Sequence, residues 1–344
     1  MRIVFTAAIS TLAIILAAIA PLPSASAAPS DAPDNLVEIT PDLRKAVDRG
    51  LAYLASQQQE DGSFAGNRYG REVGISALCC LAFMADGHVP GRGKYGPVVE
   101  KGLDFILKST SETGFIAADV SHGPMYGHGF ATLFLGEIYG MTGDRRCREA
   151  LVKATRLIIQ SQNEEGGWRY RPEPADADVS VTICQVMALR SAREAGISVP
   201  KATIEKAIAY VRNCQNSDGG YKYMINSGGS AFPRSAAGVA ALYYAGVYQD
   251  DALAKGLEYL MQYRTQMNSY AVGHYYYGHY YAVQAMYLAG GSHWSQWFPA
   301  IRRELLLRQE ADGKWSDPHG ESYASAMALI ILQMPNRYLP IFQR

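Results

Sequence analysis

Two aspartates, Asp176 and Asp178, stand one residue apart at the head of an apolar run that begins at Val179. A carboxyl in that position can act as a general acid if its neighbours hold a proton in a donating state. An aspartate at a helix start is also a cap for free N–H groups and a partner for the helix dipole. Elsewhere one short pattern is duplicated: Tyr126-Gly127-His128-Gly129-Phe130-Ala131 and Tyr277-Gly278-His279-Tyr280-Tyr281-Ala282. Imidazoles of ordinary pKa change charge between about pH 5 and 8 and serve in acid–base chemistry or ligand binding. Arg234 follows Pro233, His319 and Glu321 flank Gly320, and His122 and His274 lie close by in sequence to the two Tyr-Gly-His motifs. Brought together, Tyr126, Tyr277, His128, His279, Arg234 and Glu321 would form an ionisable rim over an aromatic cavity, the usual form of a binding site.

These residues can meet only if the chain repeats. The turn Gln162-Asn163-Glu164-Glu165-Gly166-Gly167-Trp168 recurs as Gln215-Asn216-Ser217-Asp218-Gly219-Gly220-Tyr221. Looser copies are Gln58 to Phe64 and Gln309 to Trp315, with degenerate ones at Glu112-Thr113-Gly114-Phe115 and Asn268-Ser269-Tyr270. The terminal aromatics recur about every fifty residues, which marks a repeat architecture. Each glycine suits a left-handed helix cap, the glutamine can bond freed carbonyls, and the aromatic can pack back on the helix.

Between turns the pattern predicts two helices per repeat. Those before the turns are amphipathic, as in Leu43, Val47, Leu51 and Leu54, and are expected near 41–58, 97–109, 146–162, 201–215, 251–265 and 295–309. Those after the turns are nearly free of charge, hence buried all round, and are expected near 73–86, 128–140, 178–195, 234–246, 278–290 and 321–333. Six buried helices inside six exposed ones predict an all-α inner ring wrapped by an outer ring, a single domain over 41–344, with an open solenoid as the alternative. If the ring closes, repeats two and five oppose each other, and His128 and His279 face one another across the mouth. That span is too wide for one metal ion to bridge, so no metal and no cofactor is expected.

The 32 basic residues balance 32 acidic ones, so no bulk field attracts nucleic acid. Residues 1–27 read as a signal peptide, with a retained membrane anchor as the alternative: Met1-Arg2, an apolar stretch Ile3 to Ala20, and Ala25-Ser26-Ala27 as cleavage site. Residues 28–40 read as a flexible lead-in. The expected location is secreted or periplasmic, with no stable membrane span after cleavage. The five cysteines are scattered and form no disulfide framework, so they are read as small buried hydrophobes.

The Gln-x-x-Asp-Gly-Gly-aromatic turns resemble those of squalene/hopene cyclases and protein prenyltransferase β-subunits over roughly residues 41 to 335. The resemblance implies the α/α toroid. It says less about the reaction, because the same architecture hosts several chemistries. Asp176-Ala177-Asp178-Val179-Ser180 is similar to the Asp-x-Asp-Asp-Thr motif of class II triterpene cyclases. The resemblance implies Asp178 as the protonating acid and Asp176 as its assistant, with Val179 in place of the last aspartate. No Asp-x-Cys accompanies His279, which argues against a zinc prenyltransferase, and Cys184-Gln185 is not a thioester motif. The expected function is binding of a ligand, an isoprenoid or a glycan, in the central cavity or on its rim. The alternatives are an isoprenoid cyclase using Asp178, a polysaccharide lyase-like enzyme using His128, His279, Tyr277 and Arg234, or a secreted protein-binding scaffold.

Overall fold

The computed structural model describes residues 39–66, 70–119, 123–266 and 273–343. The leader, His122 and the weak turn copy at Asn268-Ser269-Tyr270 lie outside the described residues. Among the described residues the chain forms helices α1 (Pro41–Gln57), α2 (Val73–Met84), α3 (Gly96–Lys108), α4 (Pro124–Thr142), α5 (Arg145–Gln160) and α6 (Val179–Glu194). They continue as α7 (Lys201–Asn213), α8 (Phe232–Tyr244), α9 (Asp251–Met261), α10 (Tyr275–Ala289), α11 (Gly291–Arg308) and α12 (Glu321–Leu332). A two-stranded ladder pairs Ala65–Gly66 with Gly70–Arg71.

The even-numbered helices form the inner ring. Each packs on the next from α2 to α12, and α12 packs on α2, so the ring is closed. The odd-numbered helices wrap outside it, α3 on α2, α5 on α4, α7 on α6, α9 on α8, α11 on α10 and α1 on α12. All twelve residues of α2 are buried, as are all of α8 except Arg234, as expected of helices with neighbours on every side. On α1, by contrast, Leu43, Val47, Leu51 and Leu54 are buried on one face, and the charged residues lie on the other. All five cysteines are buried and unpaired.

The turns explain how one repeat grips the next. Gly62, Gly114, Gly166, Gly219 and Gly313 all have φ between +86° and +98°. A Cβ on Gly219 would lie 2.4 Å from the Lys255 carbonyl oxygen of α9, and one on Gly313 would lie 2.7 Å from that of Arg49 in α1. Only glycine satisfies both the left-handed backbone and this close approach. The glutamine before each of these turns except the degenerate one donates twice, to its own turn and to the following outer helix. Gln162 bonds Gly166 and Thr203, Gln215 bonds Gly219 and Ala252, and Gln309 bonds Gly313 and Ala46. The Gln309 bond reaches α1 and so ties the last repeat to the first. Trp168 and Trp315 pack back on the preceding helix, each indole N–H donating to a carbonyl there, Ile158 and Leu305 respectively.

The degenerate turn is corrected by one residue. Ile116, not Phe115, takes the buried place of the aromatic two residues after the glycine, while Phe115 is only half-buried.

Candidate functional site

All six inner helices begin at the same end of the ring, and residues at or near their N-termini surround a cavity of about 720 Å³ on the ring axis. Its walls are Ile75 and Leu78 of α2, Tyr126 and Phe130 of α4, Tyr277 of α10 and Tyr323 and Met327 of α12. Two tyrosines from the turns, Tyr170 and Tyr223, complete them. Ionisable groups enter from the rim: Glu72, Arg234, His274 and His319. The lining thus offers both aromatic and aliphatic surface and hydrogen-bonding groups.

Three of the expected rim residues are at the cavity. Tyr126 and Tyr277 line it, and the Tyr277 hydroxyl donates to the Ser180 carbonyl of α6 at 2.9 Å. Burial pushes both hydroxyls well above the usual phenol range. Arg234 also lines it, held by the carbonyls of Tyr221 (3.0 Å) and Gly229 (2.7 Å).

His128 and His279 are not at the cavity, and the expectation that they face each other across its mouth is corrected. Two residues along a helix turn a side chain by roughly 200°, so Tyr126 and His128 cannot share a face, nor can Tyr277 and His279. The tyrosines take the axis. The histidines are fully buried on the opposite side. His128 Nδ1 accepts from the Ile116 backbone N–H at 3.2 Å. The same job is done in other repeats by Ser76 for Phe64, Thr182 for Trp168, Ser235 for Tyr221 and Ser325 for Trp315. His128 therefore latches a turn to an inner helix. His279 sits at the matching position of α10, packed against Phe232, Tyr275 and Trp297. Burial lowers the pKa of His128 to about 4 and that of His279 to about 3, with Arg308 adding to the latter, so both are neutral at pH 7.

Glu321, expected on the rim, is half-exposed and lies 3.9 Å from Lys314 Nζ, outside the cavity wall. As the first residue of α12 it precedes Tyr323 by two positions, and Tyr323 is the one turned inward. Asp176 is exposed and pairs with Arg169 at 2.9 Å on an outer groove shared with Glu164 and Met224.

Asp178 stands at the start of α6. It caps α6, with Oδ1 accepting from Val181 N–H at 2.8 Å. Its Oδ2 accepts from the Tyr223 hydroxyl at 3.1 Å and lies 3.3 Å from Arg169 Nε. Tyr223 and Tyr170 share a 2.5 Å hydrogen bond, and both wall the cavity. Asp178 is thus fully buried with a cavity tyrosine against it. Burial raises its pKa to about 6, against the opposing pull of Val181, Tyr223 and Arg169. The Arg169 guanidinium lies over the Tyr170 ring at 4.6 Å and links the two aspartates.

Sequence reasoning missed Glu72, Asp317, Arg169, Tyr170 and Tyr223. Glu72 caps α2, accepting from Ile75 N–H at 2.6 Å, and burial raises its pKa. Asp317 holds His319, Nδ1 to Oδ1 at 2.6 Å. Among the described residues no group of three or more histidine, cysteine or acidic side chains could hold a metal ion. No helix among them is long and apolar enough to cross a membrane.

Comparison with known proteins agrees with the ring. Residues 34–137 and 100–278 match the family model of the prenyltransferase alpha-alpha toroid domain. Drimenyl diphosphate synthase of Streptomyces showdoensis is 26% identical over 181 residues, which cover 52% of this chain and 32% of that protein. The chain thus spans about a third of that relative's length. The type II terpene cyclase MstE from Scytonema superposes with a TM-score of 0.60 at 13% identity, covering 87% of this chain and 99% of its own. Cellobiose 2-epimerase from Spirochaeta thermophila superposes with 0.65 at 12% identity, covering 88% and 99%. At such identities the superpositions speak for the fold alone.

Proposed function

The chain belongs to the prenyltransferase α/α toroid family, and from that premise and the walls of its cavity we propose that it binds an isoprenoid-type chain along the ring axis. The observation that carries this reading is the wall itself: aromatic and aliphatic side chains from the inner helices, with ionisable groups confined to the end where those helices begin. Burial of apolar surface drives such binding at about 25 cal/mol per Å². Flexible polyprenes suit its aliphatic and aromatic surface, whereas a glycan would find polar partners only in the tyrosine hydroxyls, Ser180 and the ionisable rim. A relative named drimenyl diphosphate synthase supports the same ligand class. Native mass spectrometry after incubation with geranylgeraniol or squalene, with maltohexaose as control, tests it. Retention of the sugar and not of the polyprenes counts against the reading.

A second reading is favoured by Asp178. A buried carboxyl with a pKa of about 6, bonded to a cavity tyrosine, retains a proton well above the usual aspartate range. In this reading Asp178 starts an isoprenoid cyclisation by protonation, relayed through Tyr223, and Asp176 tunes it only through Arg169. Asp178→Asn should then abolish conversion of a polyprene while leaving its binding intact. Export directed by residues 1–27 is part of the same proposal, and N-terminal sequencing of the exported protein tests it.

A further inference from the structure

We propose that His319, oriented by Asp317 and flanked by His274, is a second catalytic residue of the cavity: the base that takes a proton from the cyclising ligand. The proposal rests on the reading of Asp178 as the initiating acid.

The geometry is that of a built dyad. Asp317 is nearly buried, its side chain 7% exposed, and its Oδ1 accepts both the backbone N–H of His319 at 2.9 Å and the ring Nδ1 at 2.6 Å. That arrangement assigns the proton to Nδ1 and leaves Nε2 as the basic nitrogen. Burial alone would raise the Asp317 pKa, but the bonds from His319 hold it below the usual range, so the carboxylate stays charged to stabilise an imidazolium. The His319 ring walls the cavity, 5.7 Å from Tyr323 and 5.5 Å from His274. His274 has φ 41° and ψ 51°, a left-handed conformation that is uncommon for a side chain of its size. Strain of this kind is stored where a side chain must be aimed. Burial, then the neighbouring His319, lowers the His274 pKa, so it stays neutral beside the base.

The Asp178 proton reaches the ligand through Tyr223, which lines the cavity together with His319, so acid and base act on one bound ligand. The step balances without an oxidant. The Tyr223 O–H breaks as a C–H forms at one end of a C=C bond, Tyr223 regains a proton as the Asp178 carboxyl O–H breaks, and the carbocation left on the ligand closes a ring. His319 Nε2 then forms an N–H bond as the C–H bond next to the cation breaks, and that electron pair becomes the new C=C. One proton enters and one leaves, so substrate and product are isomers.

The test uses the full chain with squalene, farnesyl diphosphate and geranylgeranyl diphosphate. Bound polyprene is read by native mass spectrometry and products by gas chromatography–mass spectrometry. The parent should give cyclic olefins. His319→Gln should retain the polyprene but shift products toward water-quenched alcohols, with the olefin share falling at least ten-fold. Asp317→Asn should move it the same way by less. An unchanged olefin share in His319→Gln overturns the proposal and leaves the acid reading intact. Binding without conversion by the parent overturns both the proposal and the acid reading but not the binding reading. If no polyprene binds, all three fail.

Discussion

The Tyr223 hydroxyl donates to Asp178 Oδ2 across 3.1 Å, and so joins a fully buried carboxyl to the wall of the central cavity. The bond favours the ionised carboxylate, because a hydroxyl donor stabilises negative charge. Tyr223→Phe removes it, and the Asp178 pKa should rise further above about 6. Arg169→Gln should act in the same direction by removing the cation at 3.3 Å. Carboxyl ¹³C shifts of Asp178 against pH measure both. A fall in pKa in either variant would mean that the contact is not made as described.

His128 makes a prediction about acid. Its pKa of about 4 lies below the unfolded value near 6.5, so the native state keeps it neutral. Its contribution is present above pH 6.5 and is lost as pH falls toward 4, by about 3 kcal/mol for this residue. His128→Ser keeps an acceptor of the kind used at Ser76, Ser235 and Ser325 and removes that titration. Its urea stability should vary less between pH 6.5 and 4 than the parent's. His128→Ala also strands the Ile116 N–H and should be less stable than His128→Ser at pH 7 by about 1–3 kcal/mol. Equal stability of the two variants would remove the latch.

This latch is also why the duplicated Tyr-Gly-His misleads when read as sequence. The position needs any acceptor for a turn N–H, and serine or threonine there attracts no notice, whereas histidine looks like chemistry. The period, the two helix classes and the turn glycines were legible because each rests on local rules: hydrophobic spacing and a left-handed cap. Tyr126, Tyr277 and Arg234 were found because they stand at the starts of inner helices. Tyr170, Tyr223 and Asp317 were not, since they sit in loops that reach the axis only after the ring closes. Asp178 stood out in sequence by its resemblance to a motif, but its burial against Tyr223 depends on a residue 45 positions on.

Gly219→Val should disrupt the turn of its repeat. The left-handed φ of +86° costs a β-branched residue about 1–3 kcal/mol, and its Cβ would meet the Lys255 carbonyl oxygen at 2.4 Å. Thermal unfolding should start at a clearly lower temperature. A melting temperature unchanged within error would show that the turn has another form.

Gln309→Ala tests closure. It deletes the bonds to Gly313 and Ala46, both 2.8 Å, and leaves carbonyls without donors. The expected cost is about 1–3 kcal/mol. Hydrogen exchange should quicken in α1 and α12 before it does in α6. Uniform or absent quickening would mean that the seam does not depend on this glutamine.

The most direct measurement is photo-crosslinking with a diazirine-bearing geranylgeraniol, followed by mapping of labelled peptides by mass spectrometry. Axial binding predicts labels on peptides carrying Tyr126, Phe130, Tyr277 and Met327, all competed away by unlabelled geranylgeraniol. Labels confined to the outer helices, or labels that maltohexaose removes and geranylgeraniol does not, would contradict it.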